Sequence, residues 1–135
     1  LAGTGHLAIS TLHANNAYQA LTRIVNLFPQ MRHKQLFMDL SLYLRAILSQ
    51  RLVPGVDGKR RAAVEVMINT PHIAELILKG EIDLVKEALQ ESTEQGMQSF
   101  DLALLQLYRD GAITMEEALN SADSRANLEA RIHFG

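Results

Sequence analysis

Hydrophobic and polar positions divide the first part of the chain into one short strand and two helices. Residues 7–12 form an apolar run with β-branched members between Gly5 and His13, a pattern typical of a buried strand. Apolar residues then recur with helical spacing between Asn16, which can cap a first turn, and Pro29, which ends the pattern. A second helical stripe predicts the longest helix of the chain and consists of Leu36, Phe37, Leu40, Leu44, Ile47 and Leu48.

The middle of the chain predicts a β-hairpin, and everything after it predicts helices. The turn residues 54–58 separate the apolar pair 52–53 from the β-rich run 62–68, so two antiparallel strands fit best. Helical spacing then returns, with Thr70 as a cap and Pro71 at the first helical position. The helices expected after the hairpin span residues 70–80, 81–91, 99–110, 114–120 and 124–132.

Composition excludes several kinds of chemistry. The 135 residues are 47% apolar, which is enough to bury one core. The sequence has no cysteine, so it excludes disulfides, zinc–thiolate sites and cysteine nucleophiles, and its five histidines lack the spacing of a His-only metal site. The formal net charge of -2 gives no net attraction to nucleic acid, and an aromatic content of 5% without tryptophan disfavours a base-stacking surface. We therefore expect no nucleic-acid partner.

The sequence contains no complete catalytic set. It has no GxxxxGK[ST] phosphate-binding loop, no GxGxxG and no GxSxG. Most carboxylates recur at helical spacings that are typical of exposed helix faces. The chain is therefore not expected to be an enzyme without further residues.

Two histidines flank the predicted strand. His13 follows its carboxyl end, where the ligands of open α/β sheets gather, so His13 is a candidate for sensing a reacting phosphate. His6 lies seven residues earlier, and this odd spacing would point the two rings to opposite faces, which disfavours a shared metal ion. The alternative interpretation is that both rings hydrogen-bond to the backbone at the ends of the strand.

Longer stretches of the sequence resemble a known family. Thr4–Ala17, TGHLAISTLHANNA, resembles the His box of the type II/IV secretion ATPase superfamily. The stretches RIVNLFP, AILSQRLVP, RAAVEVMINTP, KGEIDLVKEAL and EQGMQSFD resemble the type IV pilus retraction ATPases, the PilT/PilU family, and are closer to its PilU type. Assembly and secretion members carry a four-cysteine zinc motif after QRL, whereas Gln50–Leu52 is followed here by Val53 and no cysteine. The resemblance therefore disfavours the pilus extension class.

One stretch departs from the PilT type. The sequence HIAELILK at residues 72–79 stands where the PilT type has AIRNLIRE, and Ala74 replaces its arginine. This departure argues against retraction activity without a second motor protein.

The resemblance also implies a fold and a parent protein. The fold class is α/β: residues 1–69 are the C-terminal part of a RecA-like P-loop ATPase core, helix-rich with few strands, and residues 70–135 are a helical subdomain. The family's phosphate-binding loop, Asp box and Walker B acidic residue precede the His box, so this chain is expected to be a fragment that is inactive alone. The parent is expected to use ATP and Mg²⁺ as a hexameric ring in the cytoplasm, peripheral to the inner membrane. Its ATP hydrolysis would be coupled to type IV pilus retraction and twitching motility, with a principal retraction ATPase and the pilus platform protein as partners.

The same resemblance assigns roles to three residues. His13 would contact or sense the terminal phosphate, His6 would shape the same strand, and Thr11 is a weaker nucleotide-binding candidate. The alternative function is a non-enzymatic helical adaptor of a pilus or secretion machine. The lack of nucleotide-binding motifs fits the adaptor, but the His box does not.

Overall fold

The computed structural model describes residues 1–92 and 95–135, in which seven α-helices surround a two-stranded sheet. The helices are α1 (Ala17–Asn26), α2 (His33–Tyr43), α3 (Pro71–Lys79), α4 (Ile82–Glu91), α5 (Phe100–Arg109), α6 (Met115–Ser121) and α7 (Arg125–Phe134), and the strands are β1 (Ala46–Pro54) and β2 (Arg60–Ile68). Short 3₁₀ turns lie at Ala2–Thr4 and Gln30–Arg32. None of the helices in these two ranges has the length and apolar character needed to cross a bilayer.

The predicted hairpin is confirmed, and its strands are longer than expected. β1 and β2 pair antiparallel over their full lengths, from Ala46 opposite Ile68 to Pro54 opposite Arg60. At the turn, the Gly55 amide donates to the Lys59 carbonyl at 2.8 Å, and Gly58 adopts a positive φ of 75° that a side chain would disfavour. The Gly/Pro-rich turn therefore sets the register of the sheet.

The prediction of a strand over residues 7–12 is wrong. These residues carry no regular structure, and Leu7 and Ile9 are each 85% exposed. A strand forms only where a neighbour pairs with its amide and carbonyl groups, and the sheet of the described residues consists of β1 and β2. The apolar run is therefore an exposed segment that leads into α1.

The second predicted helix is shorter than its apolar stripe. α2 has eleven residues, the most of any helix in the described ranges, but it ends at Tyr43, so Ile47 belongs to β1. The Asn69 side chain donates to the carbonyls of Ser41 and Leu44, each at 3.0 Å. It thereby supplies hydrogen bonds to carbonyl groups that have no partner within the helix. Pairing with β2 thus overrides the helical pattern after residue 44.

The helices expected after the hairpin are confirmed with shifts of one or two residues at their ends. The hydroxyls of Thr70, Ser99 and Thr114 accept hydrogen bonds from the first turns of α3, α5 and α6. α3 ends at Lys79 and is capped by Gly80, whose positive φ of 76° is the left-handed conformation that glycine supplies at a helix end.

The buried apolar residues form two clusters, one towards each end of the hairpin. The first joins α1, α3 and α4 to β2, and its members are Ala17, Leu21, Met67, Ile73, Leu76, Ile77, Val85 and Leu89. The second joins α5, α6 and α7 to both strands, and its members are Val53, Ala63, Phe100, Ala103, Leu104, Leu105, Ile113, Ala118, Leu119 and Leu128. The first cluster draws on both sides of the subdomain boundary expected after residue 69, and that boundary stays a prediction.

Candidate functional site

The segment that carries His13 is exposed and is fixed through its backbone. The His13 carbonyl accepts a hydrogen bond from the Arg23 guanidinium, which reaches back from α1. The imidazole is exposed and stands at the edge of an open groove of about 210 Å³. The groove is lined by His13, Ala14, Tyr18, Gln19, Thr22, Arg23 and Asn26. Most of these side chains carry polar atoms, so the groove offers hydrogen-bonding groups.

The three residues singled out from the sequence do not form one site in this structure. His13 lines the groove, whereas His6 and Thr11 lie outside its lining and are exposed. The Nδ1 atom of His6 lies 3.0 Å from the Thr4 hydroxyl oxygen, in the first turn of the chain. The roles assigned to the three residues stay predictions.

The start of α1, just after His13, is anchored to the sheet. The Asn16 side chain caps the helix by accepting from the Gln19 amide at 2.8 Å. The buried carboxylate of Glu65, on β2, accepts from the Ala17 amide at 2.7 Å. A carboxylate at a helix N-terminus also interacts favourably with the helix dipole. The start of α1 is therefore anchored to β2.

A second anchor is Arg51, which points from β1 into the molecule. Its Nη2 lies 2.6 Å from Oδ1 of Asp123, and its Nη1 donates to the Ser121 carbonyl at 3.0 Å. Its Nε and Nη2 each lie 3.3 Å from the Asn15 carbonyl oxygen. The guanidinium carbon lies 3.9 Å from the centre of the Phe100 ring, in a cation–π contact. One side chain thus joins the segment before α1 to the connection between α6 and α7.

Two buried carboxylates lie beside this arginine. Asp101, at the start of α5, accepts from the amides of Asp123 and Ser124 at 2.8 and 3.2 Å. Burial raises the pKa of Asp101 and that of Glu65, and the negative charge of Asp123 adds to both increases. The backbone hydrogen bonds and the positive charge of Arg51 lower the same two pKa values by less.

These carboxylates and their neighbours enclose a small cavity. It has a volume of about 10 Å³, and its lining includes the polar side chains of Asn16, Glu65, Asp101 and Asp123 beside the apolar Val85, Leu89 and Phe100. A cavity of this size holds about one water molecule and excludes a nucleotide. Within residues 1–92 and 95–135, no group of three or more His, Cys, Asp or Glu side chains could hold a metal ion. Glu65 and Asp101 therefore act as structural anchors for the backbone amides that they accept from.

The raised pKa values predict a pH dependence of stability. Glu65 binds a proton more tightly in the folded chain, so its contribution to stability is complete below its ordinary pKa of 4.5 and is lost as the pH rises through the raised value. Replacement by glutamine removes this proton uptake. We expect the wild-type chain to lose stability relative to Glu65→Gln as the pH rises from about 4.5 to about 7. Urea unfolding across that range measures the difference.

An exposed helical carboxylate supplies the control for this prediction. Glu87 lies on α4 and is exposed, so the difference between the wild type and Glu87→Gln is expected to stay nearly constant over the same range. Parallel pH curves for the wild type and Glu65→Gln would contradict the burial argument.

The contacts of Arg51 could not be anticipated from the sequence, because two of the inward positions of β1 are polar. Its inward positions include Ser49 and Arg51, whereas Leu48 and Leu52 point outward and are 71% and 52% exposed. The usual expectation places apolar residues inward and charges outward. An arginine on the same face of the strand as Ile47 and Val53 is the signal that could have indicated a buried ion pair.

Comparisons with known proteins agree on one family. Residues 2–99 match the family described as Type II/IV secretion system protein. The Type IV pilus ATPase PilU of Pseudomonas aeruginosa is 58% identical over 135 residues, which cover 99% of this chain and 35% of that protein. The Type IV pilus retractation ATPase PilT of the same organism is 36% identical over 127 residues, which cover 94% of this chain and 37% of that protein.

A solved structure shows the same fold. It is described as the crystal structure of the pilus retraction motor PilT and bound ADP, and it is 34% identical with a TM-score of 0.75. The match covers 87% of this chain and 33% of that one. It confirms the expected α/β fold class, helix-rich with a small sheet. The chain spans about a third of the length of the curated relatives it matches.

Proposed function

Because this chain belongs to the type II/IV secretion system protein family, we propose that it is the C-terminal part of an ATPase motor that drives type IV pilus retraction. The resemblance to the PilT/PilU family that its sequence motifs indicate is confirmed. The observation that carries the proposal is the 58% identity with a PilU protein over 99% of the chain. The stronger identity with PilU than with PilT, at 36%, supports a PilU-type motor.

In this proposal His13 contacts the terminal phosphate of ATP. Its exposed ring stands on a polar groove, with the Arg23 side chain in the same lining. An imidazole N–H can donate a hydrogen bond to a phosphate oxygen, and that contact is lost once the terminal phosphate has gone. His6 and Thr11 keep lesser proposed roles in the same segment. Mg²⁺ would come with the ATP, and we assign it no ligand in this chain.

The parent protein is proposed to work as a ring of six copies in the cytoplasm, beside the inner membrane. Its proposed partners are a principal retraction ATPase and the pilus platform protein. A ring places each nucleotide at a boundary between neighbouring domains, so that binding and hydrolysis can shift how those domains pack. The exposed apolar residues of the segment before α1, Leu7 and Ile9, are available for such packing.

Calorimetric titration with MgATP tests the proposal. The sequence of this chain lacks a phosphate-binding loop, so the 135-residue chain is expected to show no measurable heat of binding. The longer protein, with that loop, is expected to bind MgATP with micromolar affinity and to hydrolyse it. Micromolar binding by the 135-residue chain would contradict the proposed division of the motor, and a longer protein that neither binds nor hydrolyses ATP would contradict the proposed function.

A further inference from the structure

The segment that carries His13 has no strand partner in the described part of the chain, so its position depends on hydrogen bonds to side chains. Two arginines hold its carbonyl groups: Arg23 donates to the carbonyl of His13, and Arg51 donates to that of Asn15. Arg23 belongs to α1, which directly follows the segment, whereas Arg51 lies 36 residues further along the chain. Arg51 is therefore the contact that ties the segment to a distant part of the fold.

The other contacts of Arg51 lead to the C-terminal helices. Its guanidinium pairs at 2.6 Å with Asp123, in the connection between α6 and α7, and donates at 3.0 Å to the carbonyl of Ser121, the last residue of α6. Asp101 on α5 holds the same connection through the amides of Asp123 and Ser124. A continuous hydrogen-bonded path thus runs from α5, through this connection and Arg51, to a carbonyl two residues after His13.

The chemistry of this path requires a guanidinium group. Arg51 serves acceptors on Asn15, Ser121 and Asp123 at once, while its face lies against the Phe100 ring. A planar fork with five N–H donors can meet that arrangement, whereas an ammonium group is a compact charge on a flexible stem. Its partner Asp123 is mostly buried, with 14% of the side chain exposed, so the pair is screened little by solvent.

We propose that Arg51 is a positioning residue for His13 and couples the connection between α6 and α7 to the phosphate-contacting segment. The effect of Arg51 on catalysis rests on the proposed function of His13, but its hold on the segment does not. The positions of α6 and α7 thereby determine where the His13 imidazole stands. A movement of the C-terminal helices would displace the imidazole without any contact between those helices and the nucleotide.

Two measurements separate positioning from a general contribution to stability. The first is amide hydrogen exchange of Ala14 and Asn15 in the 135-residue chain, since the Ala14 amide donates to the Leu12 carbonyl and the Asn15 amide to the Gln19 side chain. The second is ATP turnover of the longer protein. Arg51→Gln is expected to speed exchange at both amides by about 10-fold and to lower kcat by about 10- to 100-fold, with KM for ATP changed less than about 2-fold.

A matched variant supplies the control. Arg125 is exposed on α7, beside the same connection, and contacts the Asn120 side chain, so Arg125→Gln removes the same charge without touching the path. It is expected to change neither exchange nor kcat. Arg51→Lys is expected to behave like Arg51→Gln, because the charge remains and the fork is lost. The double variant His13→Ala with Arg51→Gln is expected to turn over no more slowly than His13→Ala.

Several results would overturn the inference. Unchanged exchange at Ala14 and Asn15 in Arg51→Gln would show that Arg51 does not hold the segment. Losses of kcat that multiply in the double variant, or full activity in Arg51→Lys, would show that Arg51 does not act by positioning His13. If His13→Ala itself leaves turnover unchanged, the proposed function of His13 fails, and the exchange result then decides by itself whether Arg51 holds the segment.

Discussion

Replacing His13 by alanine in the longer protein is expected to lower ATP turnover by about 5- to 150-fold while leaving the thermal midpoint of the nucleotide-free protein nearly unchanged. The described contact of His13 with the rest of the chain is made by its carbonyl group, which alanine retains. Removing the exposed ring therefore costs little packing. In the proposed function, the variant loses a hydrogen-bond donor to the terminal phosphate, which is worth roughly 1 to 3 kcal/mol.

The control for this prediction is a second exposed histidine. His72 stands at the start of α3 and is outside the groove lining, so His72→Ala is expected to keep wild-type turnover. Steady-state turnover and thermal unfolding, measured on the same preparations, give both readouts. An unfolded His13→Ala protein, or one with unchanged turnover, would show that this histidine has no phosphate-contacting role.

Replacing Phe100 by alanine is expected to destabilise the chain by about 3 to 5 kcal/mol. Phe100 is 0% exposed and belongs to the cluster that joins α5, α6 and α7 to the hairpin. Its loss opens a cavity in that cluster and also removes the ring against which the Arg51 guanidinium lies. Chemical unfolding of the 135-residue chain, followed by circular dichroism, measures the change.

Two further variants separate the cavity effect from the loss of an aromatic ring. Phe134, the last residue of α7, is 92% exposed, so Phe134→Ala is expected to change stability by less than about 0.5 kcal/mol. Phe100→Leu keeps much of the buried volume and is expected to lie between the two alanine variants. A loss below about 1 kcal/mol for Phe100→Ala would show that the second cluster is not a cooperative core.

Local chemistry made most of the fold predictable. Gly58 in the hairpin turn, Pro71 at the first position of α3 and the capping hydroxyl of Ser99 each act within a few residues of their place in the sequence. Such signals depend little on the rest of the chain. They predicted the hairpin and the positions of the helices in the second half.

Two elements were not predictable because pairing determines them. The apolar run 7–12 has the composition of a strand but lacks a neighbouring strand in the described chain, so it stays exposed. Ile47 and Leu48 continue the helical spacing of α2, but they pair with Met67 and Val66 in the sheet. In both places the period of apolar residues is compatible with more than one structure, and long-range contacts determine the outcome.

The candidate site was predictable only in part. His13 could be identified because a histidine after an apolar run, within a longer family motif, is a local feature of the sequence. Arg51 meets Asn15 and Asp123 across 36 and 72 residues, and no local spacing indicates such contacts. In β1 the arginine faces inward and Leu48 outward, so the remaining local signal is an arginine on the same face as Val53, and it does not identify the partners.

Pilus retraction in living cells tests the central claim most directly. Cells that lack the longer protein, but keep the other motor proteins, would receive the wild-type gene, His13→Ala or His72→Ala at equal protein levels, and retraction of labelled pili would be counted. Wild type and His72→Ala are expected to restore retraction, and His13→Ala is expected to fail. Full retraction with His13→Ala, or no restoration by the wild-type protein, would contradict the account.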